Sequence, residues 1–545
     1  MAAPNPTCPS FKKWRGVSNR THQRLQEDVK PPVFAPKFNI YVPPDLQDLL
    51  QARPRKFTPD ELMEAVAAIT ASDKKQWYPA TIAIRKALSK EDTPPIQHVV
   101  DLGALPRLVF LMSLSDSPEL QLEAAWAVCN VASGNSTQCA AAVEAGALQP
   151  ALQLLSSEAS NLREQAAWLL GNVAGDGAAL RDKCLEAGML PVLLAATDKE
   201  TEVKPLRQLA WLLLNVTRFK PRRRETLLEV LPTVARIASS TKDDETLADS
   251  LSALAHIADE CIAEVVNGAG PAVERAGQLV NDPTTPKGVV LPAAKVLSAL
   301  CAGDEAATQM VINTGVLANG YRRLLEGSEA PGLLREVCFA ISNIAAGTQD
   351  QAIAVLDAGL PPLLVKVFKR CGGSDAVHRE ATWALSNLGT KGLPSLAHAV
   401  REAGAAIPLA EYLSSHAAKS QRADVAANVA AAEALLAMAQ AGALREGDVE
   451  DRDACGGDGN NAVGGEVGGD GGGECGGEGT GEAATATAPA AVNPAVADYA
   501  CKGVYDTLQR TLDRGLLSGK ALEYTRRLLR EFPSPDESAR VNEGS

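Results

Sequence analysis

From residue 57 to residue 444 the apolar positions of this chain recur in a fixed order. A helical pattern runs to a Gly, a second helical pattern follows, then a short polar loop, then a third and longer helical pattern. The breaks fall at Gly103, Gly146, Gly188, Gly315, Gly359 and Gly404, most of them in strings such as Glu-Ala-Gly-Ala-Leu with a Pro close behind. A Gly between two apolar helical stretches supplies left-handed backbone and stops the first helix. The array opens on Thr58-Pro59-Asp60-Glu61. That is an N-cap residue, a Pro at the first helical position and acids in the first turn. Ala and Leu are abundant, β-branched runs are short, and aromatics are 4%. The pattern predicts an all-α chain.

The third pattern carries a label. Trp126 and Asn130, Trp168 and Asn172, Trp211 and Asn215, and Trp383 and Asn387 stand four residues apart. The Asn positions run 130, 172, 215, through degenerate copies at 256 and 299, to 343 and 387, in steps of 41 to 44 residues. This is the period of HEAT or armadillo repeats. Residues at i and i+4 share one face of a helix, so stacked repeats line these side chains into one row with one cell per repeat. Asn is a poor helix former, and purely structural repetition would favour Leu in its place. The row is therefore read as a ligand surface. An indole face attracts a cation and packs the aliphatic stem of Lys or Arg. The Asn carboxamide offers a donor and an acceptor to a peptide backbone. Asp176, one turn beyond Asn172, and Asp249, ahead of the fifth cell, supply acid for basic side chains. Gln165 and Ser133 fall within reach of the same peptide.

Charge divides the chain. The formal net charge is −13. Residues 1–56 hold ten Lys/Arg and four Asp/Glu, a net of +6, so the remainder carries −19. An acidic body predicts a basic polypeptide partner and no nucleic acid. Residues 1–56 are Pro-rich and irregular, with one candidate helix from Phe11 to Val29. Residues 446–482 hold fifteen Gly, eleven Asp/Glu and one Arg. Such a segment cannot bury enough apolar surface to offset its ordering entropy. The expected organisation is a basic arm over 1–56, repeats over 57–444, a disordered acidic linker over 445–496, a last helical repeat over 497–532, and a disordered tail over 533–545.

Other classes find little support. The eleven Cys are scattered without CxxC spacing, which predicts reduced thiols in cytoplasm and nucleus rather than a disulfide frame. No signal-peptide pattern follows Lys12 and Lys13. The apolar stretch 424–441 is interrupted by Asn428, Glu433 and Gln440, so no membrane span is expected. With six His, no metal cluster and no Gly-x-Ser-x-Gly, neither an enzyme nor a cofactor is expected. Ser518-Gly519-Lys520-Ala521 lacks the spacing of a phosphate loop.

Two strings carry a specific resemblance. Glu-Ala-Ala-Trp126-Ala-Val-Cys-Asn130-Val-Ala-Ser133-Gly and Glu-Gln165-Ala-Ala-Trp168-Leu-Leu-Gly-Asn172-Val-Ala-Gly-Asp176-Gly resemble the second and third armadillo repeats of importin-α. Pro94-Pro95-Ile96 fits the same family. The resemblance spans about residues 57–441 and, more weakly, 497–532. It implies an armadillo-repeat solenoid wound as a right-handed superhelix, and an adaptor joining basic nuclear localisation signals to importin-β. It also implies a nuclear export receptor as a further partner. Trp126, Asn130, Ser133, Gln165, Trp168, Asn172, Asp176, Trp211, Asn215 and Asp249 match the major signal site. Cys139 departs from a family Thr. The minor site is partly eroded: Ser252, His256 and Ala299 replace its residues and Lys295 stands in place of an Arg, while Glu336, Phe339, Asn343, Glu380, Trp383 and Asn387 match its positions. In the arm, Lys12, Lys13, Arg15, Arg20 and Arg24 resemble a thinned importin-β-binding helix. Arg53-Pro54-Arg55-Lys56 is the candidate for its internal signal mimic. The other reading is an armadillo scaffold that binds extended partners without an import role.

Overall fold

The computed structural model describes residues 57–89, 93–370, 375–416, 422–441 and 504–531. The arm, the acidic linker and the tail lie outside the described residues. Among those described the chain is an all-α armadillo solenoid, with helices joined by short loops. By its internal contacts it divides into two units, residues 1–316 and 317–545. No single helix among the described residues is long and apolar enough to cross a membrane.

Local chemistry sets the helix ends. Thr58 and Glu61 form a capping box at the start of Pro59–Thr70, and Asn135 with Gln138 does the same for Ser136–Glu144. Each box satisfies two backbone donors that the first turn leaves open. The Gly breaks behave as expected: Gly146 sits at φ 89° and Gly188 at φ 90°. Where the fifth repeat lacks that Gly, with Leu231-Pro232 in its place, the first two helices fuse into Arg224–Ser240. A Pro inside this helix removes one backbone donor, but it does not divide the helix.

In the first unit the third helices are Trp77–Leu88, Pro118–Ala132, Ser160–Asp176, Val203–Arg218, Asp244–Ala258 and Lys287–Cys301. Each packs against the next. Their shared face is fully buried, with Val128, Leu169, Leu170, Leu212, Leu254 and Leu297 at its centre. Ala at many of the remaining core positions lets the helices approach closely.

A second ladder fastens successive repeats, and its signal in the sequence is only an Arg and an acid 36–38 residues apart. Arg85 meets Glu123 at 2.7 Å, Arg163 meets Glu200 at 2.6 Å, Arg207 meets Asp243 at 2.5 Å and Arg222 meets Glu260 at 3.0 Å. In the Arg163–Glu200 pair both side chains are almost wholly buried. Removing one member of such a pair leaves an unpaired buried charge.

In the second unit the third helices are Pro331–Ala345, Asp375–Gly389 and Arg422–Ala441. Gly519–Glu531 packs on Arg422–Ala441, and Val504–Asp513 packs on Ala406–His416. The helical pattern that resumes after the acidic linker therefore stacks onto the repeat that precedes it.

Candidate functional site

Trp126, Trp168 and Trp211 stand at equivalent positions of three consecutive third helices, each half-buried. The bed beneath them comes from the preceding repeat. Gly171 lies under Trp211 so closely that a Cβ there would come within 2.3 Å of indole Cζ3. Only a Gly lets that ring come so close to the helix below it.

The Asn side chains do not all do what their spacing suggests. Asn215 Nδ2 donates to the Gly171 carbonyl at 3.1 Å, and Asn172 Nδ2 donates to the Cys129 carbonyl at 3.3 Å. Asn130 Nδ2 donates to Ser89 Oγ at 3.0 Å. Each amide thus ties its helix to the helix of the preceding repeat. Asn215 is fully buried and Gln165 nearly so, which corrects the expectation that both lie open to a peptide. Structural repetition can itself favour Asn here, because a Leu cannot make this inter-repeat hydrogen bond. Asn172 stays half-buried, with Oδ1 as its acceptor.

The row also begins one repeat earlier than the Trp label suggests. Counting back 41 residues from Trp126 and Asn130 reaches Arg85 and Ser89. The Arg85 guanidinium stacks 4.4 Å from the Trp126 ring centroid while Glu123 holds it. One indole face is thus already occupied by a cation from the chain itself. The repeat period was the signal that locates these two residues.

The acids are better placed. Asp176 is exposed and closes the C-terminal end of Ser160–Asp176. There the helix dipole adds to its negative potential. Ser133 is exposed too, its hydroxyl donating to the Asn130 carbonyl at 2.8 Å. Asp249 is half-buried. Burial, then Glu245 and Asp243, push its carboxyl up to about 7. A cation arriving there would find a group ready to release a proton. Cys139 is a buried free thiol, as are Cys129, Cys184 and Cys338.

Past Trp211 the row changes. His256 takes the Asn position, buried, with Nδ1 3.3 Å from Thr217 Oγ1. Burial first, then the cations Arg222, Lys295, Arg218 and Lys220, hold its imidazole well below the usual range. Lys295 is half-buried and Ala299 buried.

In the second unit, Trp383 and Asn387 are half-buried, and Asn387 Nδ2 donates to the Ser342 carbonyl at 2.8 Å, as in the first unit. Asn343 instead bonds its own helix at Phe339 O, 2.9 Å away. Phe339, Glu336 and Glu380 are buried, with Glu336 1% exposed and 3.2 Å from Arg335. A phenyl ring and two carboxylates expected on a ligand surface therefore sit largely inside the helix packing. The arm residues Lys12, Lys13, Arg15, Arg20 and Arg24 lie outside the described residues.

The armadillo/beta-catenin-like repeat model matches residues 92–133, 135–175 and 348–390. The chain is 34% identical over 306 residues to importin subunit alpha-1a of Oryza sativa subsp. japonica, covering 55% of this chain and 57% of that protein. It is 36% identical over 296 residues to importin subunit alpha-3 of Arabidopsis thaliana, covering 54% of each. It is 39% identical over 251 residues to importin subunit alpha-B of Dictyostelium discoideum, covering 45% of this chain and 48% of that protein. The chain thus matches about half the length of these relatives. A crystal structure of an engineered protein superposes with a TM-score of 0.66 at 22% identity, covering 87% of this chain and 99% of that one, which supports the fold alone.

Proposed function

We propose that the chain, 34–36% identical over about half its length to importin alpha subunits and built of armadillo repeats, is an importin-α-type nuclear import adaptor. It binds basic nuclear localisation signals along Trp126, Trp168 and Trp211 and links that cargo to importin-β through residues 1–56. It works in cytoplasm and nucleus and carries out no reaction of its own. The observation that carries this reading is Asp176, an exposed carboxylate at the C-terminus of the helix that bears the half-buried Trp168. A Lys or Arg laid across the row meets apolar walls for its stem and an acid for its head.

The Asn amides favour a second reading. Their inter-repeat hydrogen bonds are what an armadillo scaffold without a signal site also needs. The two separate on Asp176→Lys. In an adaptor this reversal weakens binding of a five-residue Lys-rich peptide by more than the 1.5–3 kcal/mol or so of one lost charge-assisted contact. Helicity stays unchanged and the thermal midpoint does not fall, because Asp176 is exposed and a cation suits a helix C-terminus. Fluorescence anisotropy reads the affinity and circular dichroism the fold. Unchanged affinity in the variant supports the scaffold.

A further inference from the structure

The second unit holds a cavity lined by no residue of the row. Side chains from the helices Pro361–Arg370, Asp375–Gly389 and Ala406–His416 enclose it. Its volume is about 550 Å³, inside the roughly 300–1,000 Å³ of small-ligand sites. Rings make up much of the wall. Phe368 from the first helix stacks on His378 from the second, with centroids 5.1 Å and planes 10° apart. Tyr412 stacks on His416, one turn further along the third helix, at 4.1 Å and 11°. Ile407 adds an aliphatic side. The imidazoles are walls and not metal ligands: among the described residues no three His, Cys, Asp or Glu side chains are grouped to hold an ion. Charge at the cavity is one-sided. Among its described lining residues none is Lys or Arg, and Glu411 is an exposed carboxylate. Burial holds the His378 imidazole below its usual range, against a hydrogen bond to the Phe368 backbone, so this ring is neutral near pH 7. His416 Nε2 stands 3.5 Å from Asp375 Oδ1, so a proton there is matched by a carboxylate.

We propose that this cavity binds an arylalkyl amine, its ring system among Phe368, His378, Tyr412 and His416 and its ammonium at Glu411. An aromatic body gains from ring-on-ring contact and from apolar area removed from water. A carboxylate at the mouth selects a cationic head over a neutral or anionic one, because a charge-assisted hydrogen bond forms only with the cation. The same chemistry reaches the cavity as a free small amine or as an aromatic residue beside a lysine in a partner's chain. The site stands apart from the proposed signal row and does not depend on it.

The test titrates the full chain with tryptamine by isothermal titration calorimetry, beside its neutral and anionic counterparts, tryptophol and indole-3-acetate. Tryptamine should bind with a Kd below about 1 mM and about fivefold more tightly than either counterpart, as expected for an exposed charge pair. Glu411→Gln should remove that preference while leaving tryptophol affinity unchanged, because Glu411 is exposed and its loss does not disturb the rings. Ile407→Trp, which fills the cavity, should abolish binding of all three. Asp176→Lys should leave all three unchanged, which separates this site from the row. A blocked Ala-Trp-Lys-Ala peptide that binds as tightly as tryptamine assigns the site to a protein partner, and a weaker one assigns it to a free amine. The amine site is refuted if tryptamine fails to bind wild type, binds no better than tryptophol, keeps its preference in Glu411→Gln, or loses its binding in Asp176→Lys. Binding of a Lys-rich signal peptide, measured on the same wild-type sample, stands or falls separately.

Discussion

At the scale of single residues, Asp249 ties affinity to pH. Its carboxyl is raised from 3.8 to about 7 by burial, then by Glu245 and Asp243. The folded chain therefore holds a proton that the unfolded chain has already released. Stability contributed by this group is present below the ordinary carboxylate range and is lost as pH rises toward 7. A bound Lys or Arg reverses the cause, because an opposite charge nearby favours the carboxylate. Binding then releases a proton, and affinity for a basic peptide should rise between about pH 6 and about pH 8. Asp249→Asn should flatten that slope. It should also raise the thermal midpoint near pH 8 while leaving it unchanged near pH 4, which a pair of melting curves checks. A wild-type affinity that stays level across this window would show that no cation meets Asp249.

At the scale of elements, Gly171 joins two features that the sequence presents as separate. It lies beneath the Trp211 ring, and its carbonyl accepts from Asn215. Gly171→Ala puts a methyl where the indole sits and forces the ring or the helix to shift. Overpacking a tight contact costs about 1–3 kcal/mol. The variant should melt earlier, show altered Trp fluorescence and bind a basic peptide more weakly. Normal melting with normal binding would mean that the ring moves aside freely. This contact also shows where the chain is readable from its residues alone. The helix order, the Gly breaks and the position of the row follow from periodicity, because a 41–44-residue step survives even where a cell has decayed, as at His256. The direction each Asn amide takes is not readable. One carboxamide suits a bound peptide and a neighbouring helix equally well, and only the packed neighbour decides. Arg85 is hidden from a pattern labelled by Trp, because the first repeat carries a guanidinium at that position. Glu336 and Glu380 stand three residues before Phe339 and Trp383, where ligand-facing acids are expected, yet both are buried.

At the scale of the whole molecule, charge and tethering govern what reaches the row. A second basic cluster on a cargo strengthens binding only if it has a second place to engage. Phe339 and Glu336 are buried and Ala299 replaces Asn. A bipartite signal should therefore gain less than about a hundredfold over its monopartite form. The arm raises the opposite question. Residues 1–56 carry +6 on a chain of net −13, and a short tether gives an effective concentration near mM. On the proposed reading, even a weak mimic such as Arg53-Pro54-Arg55-Lys56 should then compete with cargo for Trp126, Trp168 and Trp211. Residues 446–482 carry −10, and on the proposed reading their charge attracts the same arm. With two acidic partners dividing it, deletion of residues 1–56 should raise affinity for a basic peptide only a few-fold. That gain should shrink as salt rises, because the contacts are between solvated charges. A gain of about two orders of magnitude would place a basic run of the arm in the row itself, at full strength. No gain, together with no binding of importin-β by the intact chain, would remove the arm from any import role and return the molecule to the scaffold reading.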